Sequence, residues 1–231
     1  MVKKKAWMLG YVLTISAAIA LTHWGSETVT VISQQLSMPR QHCIVIDAGH
    51  GGVDGGATSC TGRLESSYNL EIAQKLRDLL QFLGFDTRMV RTADESVYKK
   101  GESIREKKIS DLKERVKIVN ETESAVLLSI HQNQFPDSRY FGAQVFYADT
   151  PGSQELAQSL QKELSGSLIP HSSRKVKKSR NIYLMEHIRQ PGILLECGFL
   201  SNPQEEARLA DPEYQKKLCC IIGVVLSQFF S

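Results

Sequence analysis

The stretch CIVIDAGHGG, residues 43–52, decides the fold of this chain. Its first four residues are apolar and run without a break into Asp47 and a glycine-rich turn. A short apolar run without alternation is typical of a strand that is buried on both faces, as in a parallel sheet covered by helices. The sequence therefore predicts a buried strand whose carboxyl end presents Asp47 and His50.

Helical and strand patterns alternate along the rest of the chain. Apolar residues recur at helical spacing over 70–83, and Gly84 ends that helix. Further strands are predicted at 85–90, 125–130, 142–147 and 192–195, and further helices from Ser110, over 153–169 and over 211–230, with a polar loop at 92–109. This alternation favours an α/β fold, doubly wound, with a mostly parallel twisted sheet and helices on both faces.

Composition restricts the class of protein. The chain has 231 residues, of which 42% are hydrophobic and 23% charged, which is ordinary for a globular protein and excludes a disordered one. The length fits one α/β domain. The formal net charge of +3 is too small to indicate a nucleic-acid-binding protein.

The first residues have the pattern of an export signal. Lys3, Lys4 and Lys5 precede an apolar run at 6–21, and Ala18-Ile19-Ala20 could serve as a cleavage site. We expect a signal or membrane anchor at 1–22, a polar linker at 23–41 and a single catalytic domain at 42–231. The chain is thus expected to be exported, and attached to the membrane only if the first segment stays uncleaved.

The cysteines do not predict a disulfide framework or a zinc ribbon. Their number is odd and none forms a C-x-x-C pair. We expect them to be mostly buried, with Cys219 and Cys220 facing the core. The five positions are Cys43, Cys60, Cys197, Cys219 and Cys220.

Chemically capable side chains follow three of the predicted strands. His50 follows the first, His131 the strand at 125–130, and Glu196 the strand at 192–195. Ligands of doubly wound sheets bind beyond the carboxyl ends of the strands, where these three residues should meet. Their convergence favours a hydrolase site.

Zinc fits such a site, because a catalytic zinc takes three protein ligands and keeps a fourth position for water. His50 and His131 supply two of them, and the third should be a carboxylate from the loop after the first strand. Glu71 should face outward, and Asp54 among glycines has a plainer role in a turn. Glu65 is preferred, with Asp54 left open. Glu196 then remains for acid–base chemistry, and burial should raise its pKa.

Four blocks of the sequence resemble one enzyme family. They are Asp47–Gly52, Glu65 ahead of Asn69-Leu70, Ser129–Asn133 and Leu195–Asn202. In this order they resemble the zinc-dependent N-acetylmuramoyl-L-alanine amidases of the type-3 family, over about residues 42 to 230.

The resemblance implies roles for the site residues. His50, Glu65 and His131 would be ligands of Zn²⁺, and Glu196 the catalytic carboxylate. The substrate would be peptidoglycan, cut between the lactyl group of N-acetylmuramic acid and L-alanine of the stem peptide. Ala48, Ser66 and Cys197 depart from the residues frequent in the family, but none of them replaces a ligand.

Three segments resemble the family members that act in the spore cortex and in germination. They are residues 105–120, 174–180 and 181–185. This likeness implies a role in forming muramic-δ-lactam, together with a muramic acid deacetylase and an accessory exported lipoprotein. The site of action would be the cell wall or the forespore intermembrane space.

Two other functions stay open from the sequence. Cys197 with His131 could make a thiol peptidase, although Glu196 would disfavour the thiolate. A non-catalytic peptidoglycan-binding domain is the second alternative.

The basic loop at 174–180 is either solvated or steers substrate carboxylates. Phe135, Phe141 and Tyr147 are expected to pack rather than to bind sugar.

Overall fold

The computed structural model describes residues 42–169 and 172–230. The predicted signal or anchor at 1–22 and linker at 23–41 lie outside these residues. Within the described part, no helix is long and apolar enough to cross a membrane.

The described chain alternates strands and helices as the sequence predicts, and it adds one short strand and two short helices that the sequence did not predict. The strands are β1 Cys43–Ala48, β2 Asp86–Met89, β3 Ala125–Asn133, β4 Gln144–Tyr147, β5 Lys177–Lys178 and β6 Gly192–Phe199. The helices are α1 Glu65–Phe82, α2 Ile104–Glu121, α3 Ser153–Ser167, α4 Tyr183–His187, α5 Pro203–Ala210 and α6 Pro212–Phe229. The elements that the sequence did not predict are β5, α4 and α5.

One six-stranded sheet organises the domain in the order β2-β1-β3-β6-β4-β5. Every neighbouring pair is parallel except β4 with β6, which is antiparallel. The prediction of a mostly parallel doubly wound sheet is therefore confirmed. Because β1, β3 and β6 are adjacent and parallel, their carboxyl ends meet at one edge, which we call the carboxyl edge.

Helices cover both faces of the sheet. On one face, Ile72, Leu76 and Leu80 of α1 follow one another at four-residue spacing and are fully buried, and α1 packs against β1, β3 and α6. On the other face, a cluster including Val45, Val119 and Leu184 joins β1 to α2 and α4. Burial on both faces explains the unbroken apolar runs of the central strands.

Helix α2 begins earlier than predicted. The sequence assigned 92–109 to a loop and the helix start to Ser110, but α2 begins at Ile104. Ser103 accepts a hydrogen bond from the Glu106 amide, and the Glu106 side chain accepts one from the Ser103 amide. This capping box starts the helix on a polar turn, so apolar spacing alone could not locate it.

Candidate metal and catalytic site

The three predicted strand-end residues lie together at the carboxyl edge. His50 follows β1, His131 lies near the end of β3, and Glu196 lies in β6 directly opposite His131 in the parallel register. Glu65 joins them from the first turn of α1. One edge of the sheet therefore brings together two imidazoles and two carboxylates.

His50, Glu65 and His131 form a compact group of donors that could hold a metal ion. Their ligand atoms all lie within 4.8 Å of one another. The Glu65 carboxylate lies between the rings, 3.3 Å from His50 Nε2 and 3.0 Å from His131 Nδ1. Two imidazoles and one carboxylate are a ligand set of catalytic zinc sites.

Buried donors fix the Glu65 carboxylate. Its oxygens accept hydrogen bonds from the backbone amides of Ala57 (3.0 Å) and Gln132 (3.1 Å) and from the Asn69 side-chain amide (3.2 Å). Asn69 also donates to the Gly49 carbonyl at 3.1 Å. Burial raises the pKa of Glu65, but the hydrogen bonds and charges of His131 and His50 outweigh it and hold this pKa far below its usual range.

Asp54, the alternative carboxylate from the sequence, lies behind His50. Its Oδ2 is 3.1 Å from His50 Nδ1, the nitrogen that points away from Glu65, and its Oδ1 is 2.9 Å from Lys108 Nζ. A carboxylate in this position can orient the His50 ring from the side away from Glu65. The preference for Glu65 over Asp54 as a metal ligand stays a prediction.

Glu196 differs from Glu65 in its surroundings. Burial raises the pKa of Glu196 to about 7, and the nearby His131 only partly opposes this effect. Its Oε2 is buried without a hydrogen-bond partner among the described residues. A buried carboxylate without a partner, beside a group of metal donors, is chemically suited to take up and release a proton.

A cavity of about 390 Å³ opens over these residues. His50, His131 and Glu196 line it together with Asp54 and Lys108, and its walls include the apolar residues Val53, Leu112, Ile182, Leu184 and Leu194. A mostly apolar cleft with a few convergent polar groups is the usual form of a ligand site.

Two buried arginines hold the backbone that carries His50. Arg91 donates to the carbonyls of Ala48 (2.8 Å) and Gly49 (3.0 Å), and Arg115 donates to those of Ala48 (3.0 Å) and His50 (2.8 Å). Arg115 also pairs with Asp47, and this attraction outweighs burial and lowers the pKa of Asp47. His50 has a φ of 60°, an uncommon conformation for a residue other than glycine. The arginines therefore fix a strained turn that presents the imidazole.

Gly49 lets His131 approach this turn closely. A Cβ at this position would lie 2.1 Å from His131 Nε2. Only glycine permits this arrangement, since real atoms do not approach so closely.

Arg115→Met should destabilise the domain by about 3–5 kcal/mol, because it leaves the 1% exposed Asp47 as an unpaired buried charge. Unfolding by urea, followed by circular dichroism, measures the change. The control is Arg77→Met, whose surface pair with Asp78 should contribute no more than about 1 kcal/mol. Equal losses in the two variants would contradict this role of the buried pair.

Sequence reasoning missed the roles of Asn69, Arg91 and Arg115. For Arg115 a signal was present: it lies three residues after Leu112 and four before Val119, on the face of α2 that was expected to be apolar. Asn69 and Arg91 offered no comparable periodic signal.

Other predicted positions have mixed outcomes. All five cysteines are free, and only Cys197 and Cys219 are buried, so the expectation that they are mostly buried was wrong. Cys220 is exposed, which corrects its placement in the core. Phe135 and Phe141 are 44% and 47% exposed, which does not fit the expectation that they serve packing, whereas Tyr147 is half-buried in β4. Both phenylalanines lie in a surface loop, which the identity of the residues alone does not reveal.

Comparisons with known proteins place the chain among wall hydrolases. A family model described as N-acetylmuramoyl-L-alanine amidase matches residues 44–223. The germination-specific N-acetylmuramoyl-L-alanine amidase of Bacillus subtilis (strain 168) is 39% identical over 191 residues, covering 81% of this chain and 79% of the relative. AmiA of Escherichia coli (strain K12), also named an N-acetylmuramoyl-L-alanine amidase, is 25% identical over 81% of this chain and 75% of its own.

Solved structures agree with the sequence relatives. The CwlD amidase from Clostridioides difficile, solved in complex with the GerS lipoprotein, matches with a TM-score of 0.77 at 37% identity, over 81% of this chain and 97% of that chain. An N-acetylmuramoyl-L-alanine amidase from Clostridium difficile 630 matches with a TM-score of 0.71 at 31% identity, over 82% and 97%.

Proposed function

The chain belongs to the N-acetylmuramoyl-L-alanine amidase family, and on this premise we propose that it is a zinc-dependent amidase of spore-cortex peptidoglycan. The bond cut joins the lactyl group of N-acetylmuramic acid to L-alanine of the stem peptide. The observation that carries the proposal is the position of Glu196 opposite His131, beside the compact group of His50, Glu65 and His131.

We propose His50, Glu65 and His131 as the three zinc ligands. The donor set fits a catalytic zinc, and Asp54 behind His50 supplies the carboxylate that commonly orients a histidine ligand. When bound, zinc supplies Lewis acidity, which polarises the amide carbonyl and acidifies water.

Glu196 is the proposed acid–base residue. Its carboxylate accepts the proton of the attacking water and returns it to the nitrogen of L-alanine as the amide bond breaks, so the free peptide leaves as an amine. A pKa of about 7 suits both halves of this transfer near neutral pH. The apolar walls of the cavity limit competing contacts with bulk water.

The proposed site of action and the proposed partner rest on what the relatives' names say of them. The 39% identical relative is named germination-specific, and the CwlD amidase was solved with a lipoprotein. We propose that this chain likewise acts outside the cytoplasm on spore cortex and cooperates with an exported lipoprotein. Release of the peptide leaves the lactyl carboxyl of muramic acid free. A deacetylase would then free the amine of the same sugar, and the amine and the carboxyl would join with loss of water to form muramic-δ-lactam.

Metal analysis and product analysis test this proposal together. The purified protein should contain about one zinc per chain, and digested cortex should yield free stem peptides and glycan without peptides by mass spectrometry. A chelator should stop hydrolysis, and added zinc should restore it. Hydrolysis that persists without metal would contradict the proposal, and binding of peptidoglycan without hydrolysis would favour a non-catalytic wall-binding domain.

Cys197→Ser should keep most of the hydrolytic activity, within about a few-fold of the parent. Cys197 is fully buried, and burial raises its pKa well above the usual value, so it is unsuited to be a nucleophile. Initial rates on cortex fragments measure the effect, with zinc content and melting temperature recorded for both proteins. Complete loss of activity in a folded, zinc-loaded variant would favour the thiol peptidase.

A further inference from the structure

We propose that the loop after β3 carries a binding surface for the glycan strand of peptidoglycan. We call this surface the aromatic rim and define it by Phe135, Arg139, Tyr140, Phe141 and Arg174. The proposal rests on the proposed function, because it takes peptidoglycan as the substrate, and it adds a contact outside the catalytic cavity.

Three aromatic rings of the rim face solvent within a span of seven residues. Phe135, Tyr140 and Phe141 are 44%, 46% and 47% exposed. The centroids of the Phe135 and Tyr140 rings are 4.5 Å apart, so these two make one continuous apolar surface. Scattered exposed apolar residues need no explanation, but a cluster of aromatic rings indicates a binding surface.

The rim is a fixed surface rather than a loose loop. The Phe135 amide donates to Ser201 Oγ at 3.1 Å, and Asn202 donates to the Tyr140 carbonyl at 3.2 Å. Arg174 Nε donates to the Phe141 carbonyl at 2.8 Å, which ties the rim to the basic loop at 174–180. A preformed surface loses little conformational freedom when it binds a ligand.

The rim lies at the same edge of the sheet as the metal donors. The loop leaves β3 just after His131 and enters β4, whose Gln144 pairs with Glu196 of β6. One end of the loop is therefore attached to β3, which carries His131, and the other to β4, the neighbour of the strand that carries Glu196. A polymer held in the cavity can extend along this edge onto the rim.

Polar and cationic groups complete the surface. Two adjoining grooves share Arg139 and Phe141; one is also lined by Asp137, Ser172 and Ser173, the other by Asn202, Gln204, Glu205 and Asp211. The Arg174 guanidinium lies 4.7 Å above the buried Phe199 ring and is attracted electrostatically by Glu205. Arg174 thus offers a half-buried positive charge at the rim, and Glu205 offsets part of it.

This combination fits an amino-sugar polymer that carries carboxylates. Aromatic faces are electronegative and attract the polarised C–H groups of a sugar ring. Hydroxyl and amide side chains can bond the sugar hydroxyl and acetamido groups, and Arg174 can meet a lactyl or peptide carboxylate. Exposed Arg139, which pairs with Asp137, and the polar grooves between the rings do not suit the dry apolar centre of a stable protein interface.

Sedimentation with insoluble sacculi tests the rim. The full chain carrying Glu196→Gln, so that the polymer is not cut, is compared with the same chain carrying Phe135→Ala and Phe141→Ala in addition. Loss of both rings should weaken binding about tenfold. The control is Phe82→Ala in the same background, because Phe82 is 76% exposed but ends α1 at the opposite edge of the sheet. This control should bind like its parent, and melting temperatures verify that every variant folds.

A second probe, glycan strands freed of peptide, separates sugar from peptide recognition. The double variant should lose binding to these strands as well. An unchanged affinity for sacculi would overturn the proposal and leave a protein as the better occupant of the rim. A loss seen with sacculi but not with bare glycan would also overturn it, because the rim would then bind peptide. Hydrolysis of a soluble disaccharide-peptide by the unaltered chain is assayed separately, and its absence would refute the proposed function regardless of the rim.

Discussion

His50→Ala, Glu65→Ala and His131→Ala should each abolish hydrolysis and lower the zinc content of the purified protein. Each substitution removes one of three donors, and two remaining donors make an incomplete site for a catalytic zinc. The loss in activity should reach the detection limit of the assay. Metal content by mass spectrometry and rates on cortex fragments measure the two effects in the same samples.

Asp54→Ala is the matched control for this series. Asp54 contacts the outer nitrogen of His50 and is placed to orient that ligand, so its removal should weaken zinc affinity by about 10–100-fold without eliminating binding at saturating zinc. Because Glu65 also accepts three buried hydrogen bonds, melting temperatures must show that Glu65→Ala is folded. If Asp54→Ala lost the metal while Glu65→Ala kept it, the two roles would be exchanged.

The sequence predicted the fold well because the central strands are buried on both faces. Such strands have unbroken apolar sequences, and the residues that follow them lie at one edge of a parallel sheet. The positions of His50, His131 and Glu196 follow from this rule alone. Strand-end chemistry is thus readable wherever the sheet is parallel and covered.

The sequence could not decide between Glu65 and Asp54 without the family resemblance. Both residues follow β1 in the chain, before α1 or at its start. What distinguishes Glu65 is the set of hydrogen bonds that its carboxylate accepts from Ala57, Asn69 and Gln132, and hydrophobic periodicity does not encode such bonds. The start of α2 was missed for a similar reason, since the capping box at Ser103 precedes its apolar residues. Local polar contacts, unlike apolar burial, leave no regular pattern.

The exposure of Phe135 and Phe141 is a further feature that could not be predicted from the residue types. Aromatic residues are usually buried, so packing was the natural expectation. The connection from β3 to the antiparallel β4 must pass over the carboxyl edge, and it exposes the rings there. The same topology that gathers His50, His131 and Glu196 therefore also places the aromatic rim at the carboxyl edge.

Glu196→Gln should separate the proton-transferring residue from the metal ligands. Gln has nearly the size of Glu but cannot accept a proton at neutral pH, so the variant should fold, bind zinc and bind substrate nearly as the parent does. Hydrolysis should fall by about 10²–10⁴-fold, the usual contribution of a general base. Zinc content, sedimentation with sacculi and single-turnover rates measure the three properties separately.

The environment of Glu196 means that this substitution should change proton transfer without changing the fold. Its Oε2 has no hydrogen-bond partner among the described residues, so the amide that replaces it breaks no contact they make with that oxygen. Burial raises its pKa to about 7, and a neutral side chain is therefore tolerated at this position without loss of fold. Loss of zinc together with activity would make Glu196 a ligand instead of a base. Retained activity would move the search for the base to Asp54, which lines the same cavity, and to Glu71 of α1.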